Sequence, residues 1–279
     1  MNKRILSPHH LSAFRQHLTD DEKSPVTIEK YLRDATVFFH FSAGREVTKA
    51  LTLAYKQHLQ DRGYAVRSVN SMLAAMNSLL TDLGWDDCKV KNLRCQRPTY
   101  RAANKELTKA DYLLLLQAAQ PNPQLRLIMQ TICATGIRVS ELRYFTVEAI
   151  QHGEISVRCK NKIRTILLPE KLRCRLLSYA KDRDIREGAI FLSKAGGPID
   201  RSSIWAQMKR LATAAGVDPD KVYPHNLRKL FARTFYGAEK DIAKLADILG
   251  HSSIDTTRIY IMTTGTEHRK KLDRLGLVV

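Results

Sequence analysis

Three segments in the first hundred residues carry apolar side chains at helical spacing, and a glycine closes each one. Thr27 to Ala43 stops at Gly44, Thr48 to Arg62 at Gly63, and Val66 to Leu83 at Gly84. In the last segment Val69, Met72, Leu73, Met76, Leu79, Leu80 and Leu83 fall on one stripe, the period that buries one face of a helix. A shorter helix beginning around Ser7-Pro8 completes a small four-helix bundle. This spacing is the strongest constraint on what the first part of the chain can fold into.

Between residues 86 and 106 the periodicity fails. Lys89, Lys91, Arg94, Arg97, Pro98, Arg101 and Lys105 stand there with few apolar neighbours. We therefore expect a helical domain over 1–88, a basic linker over 89–106 and a second domain over 107–279. So dense a run of charge is either a solvated linker or a strap that tracks a phosphate backbone.

The second domain opens on Thr108-x-x-Asp111, a capping box with Asp in place of Glu, followed by the apolar run Leu113 to Leu116. Helices are expected to about Phe145. The pattern turns strand-like around Ile155, Val157, Ile163 and Ile166-Leu167-Leu168, with a tight polar turn at Lys160-Asn161-Lys162. Helices return after Pro169, interrupted by a short strand at Ala189-Ile190-Phe191-Leu192. The expected fold class is mainly α with a small antiparallel β-sheet (α+β).

The net charge is +18 in 279 residues. It is spread along the chain: 17 basic against 10 acidic residues up to Lys105, and 29 against 18 after it. A polyanion is the natural partner for such a balance, and a clamp on a duplex spreads its charge in this way. No stretch approaches the ~20 apolar residues of a membrane span, and the first ten residues lack the apolar run of a secretory signal. Cys88, Cys95, Cys133, Cys159 and Cys174 show no C-x-x-C spacing. That argues against a disulfide framework or zinc site and fits a cytoplasmic protein. No Walker-type loop or metal-ligand cluster appears, so no cofactor and no metal are expected.

Against this background one ordered set of polar residues stands out. Arg138 lies in Ala134-Thr135-Gly136-Ile137-Arg138-Val139-Ser140-Glu141-Leu142, at a corner between helices, with Glu141 close enough to pair with it. His225 and Arg228 lie in Pro224-His225-Asn226-Leu227-Arg228, on one helical face and away from the centre of the Leu227, Leu230, Phe231, Phe235 stripe. His251 follows Leu249-Gly250 in a short turn, and Tyr260 stands nine residues later. Arginines suit a phosphate because the planar fork binds two oxygens and stays charged. Histidines handle protons near neutral pH, and a phenol can attack phosphorus.

The ordered set closely resembles the catalytic signature of the tyrosine recombinases, also called the phage integrase family. The resemblance covers most of the chain and implies an N-terminal SAM-like core-binding domain and a C-terminal catalytic domain. It implies that Arg138 and Arg228 clamp the scissile phosphate, that His225 is a general acid/base, and that His251 hydrogen-bonds a non-bridging oxygen. Tyr260 would be the nucleophile, forming a 3′-phosphotyrosyl link and releasing a 5′-hydroxyl. The general acid would be Lys160 in the hairpin turn, with Lys162 in contention because the flanking glycines are absent. Lys162, Arg164 and the basic linker residues are further candidate DNA contacts. No extra N-terminal arm-binding domain is visible, which resembles compact Xer-like and transposon-type members. The resemblance also implies double-stranded DNA as partner at a specific recombination site and four protomers on a Holliday junction, with weaker self-association when free. A C-terminal segment from about 262, apolar at Leu272, Leu275 and Leu277, would dock on a neighbouring subunit. Type IB topoisomerase-like nicking and a non-cleaving DNA-binding regulator are the alternatives.

Overall fold

A computed structural model of the chain describes residues 3–94, 106–159, 162–262, 268–269 and 272–275. The chain divides into two compact units, residues 1–97 and 98–279. Arg97, Arg101, Lys105, Lys160 and Leu277, all singled out above, lie outside the described residues.

The first unit holds α1 (Pro8–Asp20), α2 (Pro25–Ser42), α3 (Lys49–Asp61) and α4 (Val66–Asp82). Pro8 and Pro25 sit in first turns, where a missing N–H costs nothing. The hydroxyls of Ser24 and Thr48 accept from the backbone N–H of Thr27 and Leu51. The last three helices end two residues before Gly44, Gly63 and Gly84. The α4 stripe is the centre of this unit. Val69, Leu73, Met76, Leu79 and Leu80 are fully buried against Phe14 and Leu18 of α1, Phe38 of α2, and Tyr55 and Leu59 of α3.

Residues 88–93, where the basic linker was expected to begin, are bound to this bundle. Asn77 of α4 donates to Val90 O at 2.8 Å and accepts from Val90 N–H at 3.0 Å. Asn70 does the same for Leu93, at 3.0 and 2.7 Å. The repeat lengths explain the pairing, since seven helical residues rise roughly 10.5 Å and three extended residues cover about 10 Å. On α3, Thr52 donates to Cys88 O at 2.7 Å and Lys56 to Lys91 O at 2.8 Å. Lys91 and Arg94 remain exposed, whereas Lys89 pairs with Asp86 at 2.5 Å.

In the second unit α5 (Lys109–Ala118) starts at the expected capping box. Asp111 accepts from Thr108 N–H at 2.9 Å, and the Thr108 hydroxyl accepts from Asp111 N–H at 3.0 Å. There follow α6 (Pro123–Thr135), a 3-10 turn (Val139–Tyr144), α7 (Val147–His152), β1 (Glu154–Cys159) and β2 (Lys162–Leu167). The chain goes on through α8 (Glu170–Asp182), α9 (Arg201–Ala214), α10 (Pro224–Glu239), α11 (Ile242–Leu249) and α12 (Ile254–Ile261). The strands pair antiparallel, from Glu154 with Leu167 to Cys159 with Lys162. Lys162 therefore belongs to β2 rather than to the turn. Ile155, Val157 and Ile166 face a core shared with Ile128 and Ile132 of α6, Leu176 of α8, Met208 of α9 and Leu227 of α10. Ile163, counted above among the strand's apolar residues, points outward.

Two further expectations differ from the structure. Residues 189–192 form no strand among the described residues: Ala189 and Leu192 make isolated bridges to Thr146 and Pro198. Proline has no N–H with which to extend that ladder. The second concerns α10, whose wheel set Arg228 away from the centre of a single apolar stripe. Leu227 and Leu230 enter the main core, while Ala232, with Phe231 and Phe235, packs against Leu245, Leu249 and Tyr260 of α11 and α12. Covered on both sides, α10 buries Arg228 to 1 % exposure.

Replacing Asn77 by Ala leaves both backbone groups of Val90 without partners. We expect the first unit to lose about 1–3 kcal/mol, and Val90 amide exchange in the intact chain to quicken by a matching factor.

Candidate active site

Two helix ends converge on Arg228. α6 ends at Gly136 and α11 at Gly250, both in the left-handed conformation. A helix leaves its last carbonyls unpaired and carries partial negative charge there. The carbonyls of Gly136 and Leu249 both accept from the Arg228 guanidinium, the latter at 2.7 Å. Neither glycine can be exchanged freely. A Cβ on Gly136 would lie 2.3 Å from the Phe231 ring, and one on Gly250 would lie 2.7 Å from Arg164 Cδ.

Arg138 caps the 3-10 turn just beyond Gly136. Its backbone N–H donates to Glu141 Oε2 at 2.7 Å, its Nη1 to Oε1 at 3.1 Å, and its Nη2 reaches Gly250 O at 3.4 Å. The ion pair with Glu141 anticipated from sequence is therefore present. Glu141 is 3 % exposed and also accepts from Arg164 Nη2 at 2.6 Å.

Arg164, expected as a DNA contact, points inward. It shares strand parity with Ile166, and its Nη1 donates to Ile248 O at the end of α11. It thus fastens the hairpin to Glu141 and to the turn that carries His251.

His251 is half-buried. Its Nε2 lies 3.0 Å from Arg228 Nη2 and its Nδ1 2.8 Å from the hydroxyl of Thr257. Burial, followed by the charges of Arg228, Arg138 and Arg164, draws the imidazole down to about 4 from its usual 6.5. Burial beside Arg138 likewise lowers Arg228 to about 10.

Tyr260, 7 % exposed on α12, lies between two imidazoles. Its ring centre is 5.3 Å from that of His225, edge-on, and 5.1 Å from that of His251. His225 is exposed. Arg138, His225 and Arg228 line a cleft of about 550 Å³ whose other wall includes Arg201, Ser202 and Trp205 of α9.

The fold thus brings together Arg138, His225, Arg228, His251 and Tyr260, the first and last of which are 122 positions apart in sequence. It leaves Lys89, Lys91 and Arg94 on the other unit. Lys162 lies at the end of β2, and Lys160 in the connection just before it is outside the described residues. Sequence reading missed Thr257 and the three α9 residues. Thr257 carried one usable signal, its place three residues before Tyr260 on the same helical face.

Residues 105–266 match the model of the phage integrase family, and the chain belongs to that family. Tyrosine recombinase XerA of Pyrococcus furiosus is 28% identical over 287 residues, covering 100% of this chain and 98% of the relative. A crystal structure of XerA recombinase superposes with a TM-score of 0.55 at 26% identity, covering 95% of this chain and 97% of the other. A lambda integrase tetramer bound to a Holliday junction gives 0.73 at 19% identity, over 93% and 78% of the two chains. That likeness concerns the fold.

Two outcomes are expected. The His251 ring should stay neutral at pH 7 in the free protein and titrate near pH 4, read from its imidazole NMR signals with His251→Gln as the assignment control. Because the unfolded ring takes its proton near 6.5, His251 lets stability stay full above that pH and drains it as pH falls toward 4. Separately, Arg164→Ala strips one of two cations from a buried carboxylate that keeps Arg138, and should destabilise the second unit by about 1–3 kcal/mol, measured by urea unfolding.

Proposed function

We propose that this protein is a site-specific DNA recombinase that cuts and rejoins strands through a covalent 3′-phosphotyrosyl intermediate at Tyr260. The observation that carries the reading is the convergence of two arginines and two histidines around one buried tyrosine. Arg138 and Arg164 share the carboxylate of Glu141 there, while Arg228 bonds two backbone carbonyls and His251, which leaves the pocket cationic and suited to a phosphate diester.

In this reading Arg138 and Arg228 hold the non-bridging oxygens of the scissile phosphate, and His251 donates to one of them. As the phosphorane develops, these donors meet its growing charge where it forms. The Tyr260 oxygen attacks phosphorus in line and gives its proton toward His225. The bond to the 5′-oxygen breaks, and Lys160 protonates that leaving oxygen, with Lys162 the next candidate. The phosphotyrosyl bond preserves the energy of the diester, so a 5′-hydroxyl from another strand can reverse the step without a nucleotide cofactor.

The remaining assignments are part of the same proposal. Residues 1–88 act as the core-binding domain. Lys91 and Arg94 follow the DNA backbone from a segment whose own backbone is fastened by Asn70 and Asn77. A homo-tetramer on two duplexes exchanges strands through a Holliday junction, as the bound state of lambda integrase suggests. The exposed Leu272 and Leu275 offer an apolar surface for docking on a neighbouring subunit. Among the described residues no helix is long and apolar enough to cross a membrane.

Covalent trapping on nicked suicide duplexes tiled across the DNA flanking the coding sequence tests the reading. The parent should give a protein–DNA band that survives denaturation, and Tyr260→Phe should bind the same duplex without forming it. Lys160→Ala should slow cleavage by at least about 100-fold, and a larger loss in Lys162→Ala would move the general acid to Lys162. Bound, uncleaved DNA at the authentic recombination site would leave a non-cleaving regulator. Relaxation of plasmids lacking that site would point to topoisomerase-like action.

A further inference from the structure

His251 is gripped at both ends of its ring. A guanidinium nitrogen can only donate, so Arg228 Nη2 at 3.0 Å forces His251 Nε2 to present its lone pair. The neutral ring then carries its proton on Nδ1 and donates it to Thr257 Oγ1 at 2.8 Å. Arg138, Arg164 and Arg228 surround this ring, with His225 near it and Tyr260 against its face. This is the tautomer opposite to the one a phosphate ligand needs, because donation to a phosphate oxygen requires the proton on Nε2.

The chemistry of Thr257 resolves that conflict. A carboxylate or a backbone carbonyl facing Nδ1 could only accept, and would hold the proton on Nδ1. A hydroxyl both accepts and donates. It can therefore hold the ring in either tautomer without moving it. Thr257 is fully buried and belongs to α12, the helix that carries Tyr260.

We propose that Thr257 is the positioning residue of His251, holding Nδ1 as acceptor in the free protein and as donor when the site binds phosphate. In the switch the ring releases the Nδ1 proton to solvent and takes one at Nε2, so its charge does not change. The Thr257 hydroxyl rotates, and Arg228 Nη2 turns from the imidazole to a phosphate oxygen. Because Thr257 and Tyr260 share α12, His251 is oriented only while the nucleophile's helix is docked. One event thus delivers the nucleophile and sets a phosphate ligand. The inference rests on the recombinase reading of the site.

Two variants and one spectrum test it. Thr257→Val keeps the shape of the side chain and removes the hydroxyl. On the nicked duplex that traps the parent, it should slow covalent complex formation by about tenfold or more, with duplex affinity unchanged. Thr257→Ser should restore the rate. Histidine ¹⁵N spectra should place the ring proton of His251 on Nδ1 in the free protein. In the duplex complex of Tyr260→Phe, which cannot cleave, the proton should be on Nε2. A valine variant as fast as the parent, a serine variant as slow as valine, or one tautomer in both states would each overturn the role of Thr257 and leave the recombinase reading intact. A parent that forms no Tyr260-dependent complex on any duplex would overturn the recombinase reading and this inference with it.

Discussion

The second unit is organised around a buried cation. Arg228 is the largest fully buried side chain in the described structure, and an ion in such a place is tolerated only if its hydrogen bonds are met. Its two Nη atoms are met by the ends of α6 and α11, with His251 as a third partner; its Nε is buried without a partner among the described residues. Those helices must therefore stop where they do, and each stops at a glycine with positive φ. Arg138 stands two residues after one glycine and His251 directly after the other. Fixing the guanidinium thus fixes the origin of both neighbouring motifs.

Charge balance does the rest. Glu141 is one buried carboxylate shared by Arg138 and Arg164, and among the described residues Arg228 has no carboxylate partner of its own. The cluster keeps its excess positive charge because packing and helix ends hold the side chains in place. A phosphate entering such a site meets donors that are already oriented, and the cost of ordering them was met in folding. The depressed pKa of His251 follows from the same crowding of cations.

Much of this was legible in the residues. Helix stripes, glycine stops, the Thr108–Asp111 box and the hairpin all follow from local rules of period, capping and alternation. The site motifs were legible because arginine, histidine and tyrosine at helix ends and turns answer poorly to core packing. What escaped depended on contacts between distant elements. Arg164 looked like a surface cation because sequence shows its charge and hides its partners, Glu141 and the end of α11. The burial of Arg228, which the wheel set away from the centre of the apolar stripe, escaped because a helical wheel assumes one buried face, whereas α10 is covered on two. Residues 88–93 looked solvated because the asparagines that hold them lie up to 23 residues earlier in the chain.

By itself, then, the sequence determined the helical class, the family and the motifs that carry Arg138, His225, Arg228, His251 and Tyr260. Tertiary structure alone decided which cations turn inward, which histidine nitrogen carries a proton, and that a threonine without any motif of its own holds that histidine. The reason is physical. Period and capping act over a few residues and are written locally, whereas burial, ion pairing and tautomer choice are set by whatever the fold carries into contact across long separations.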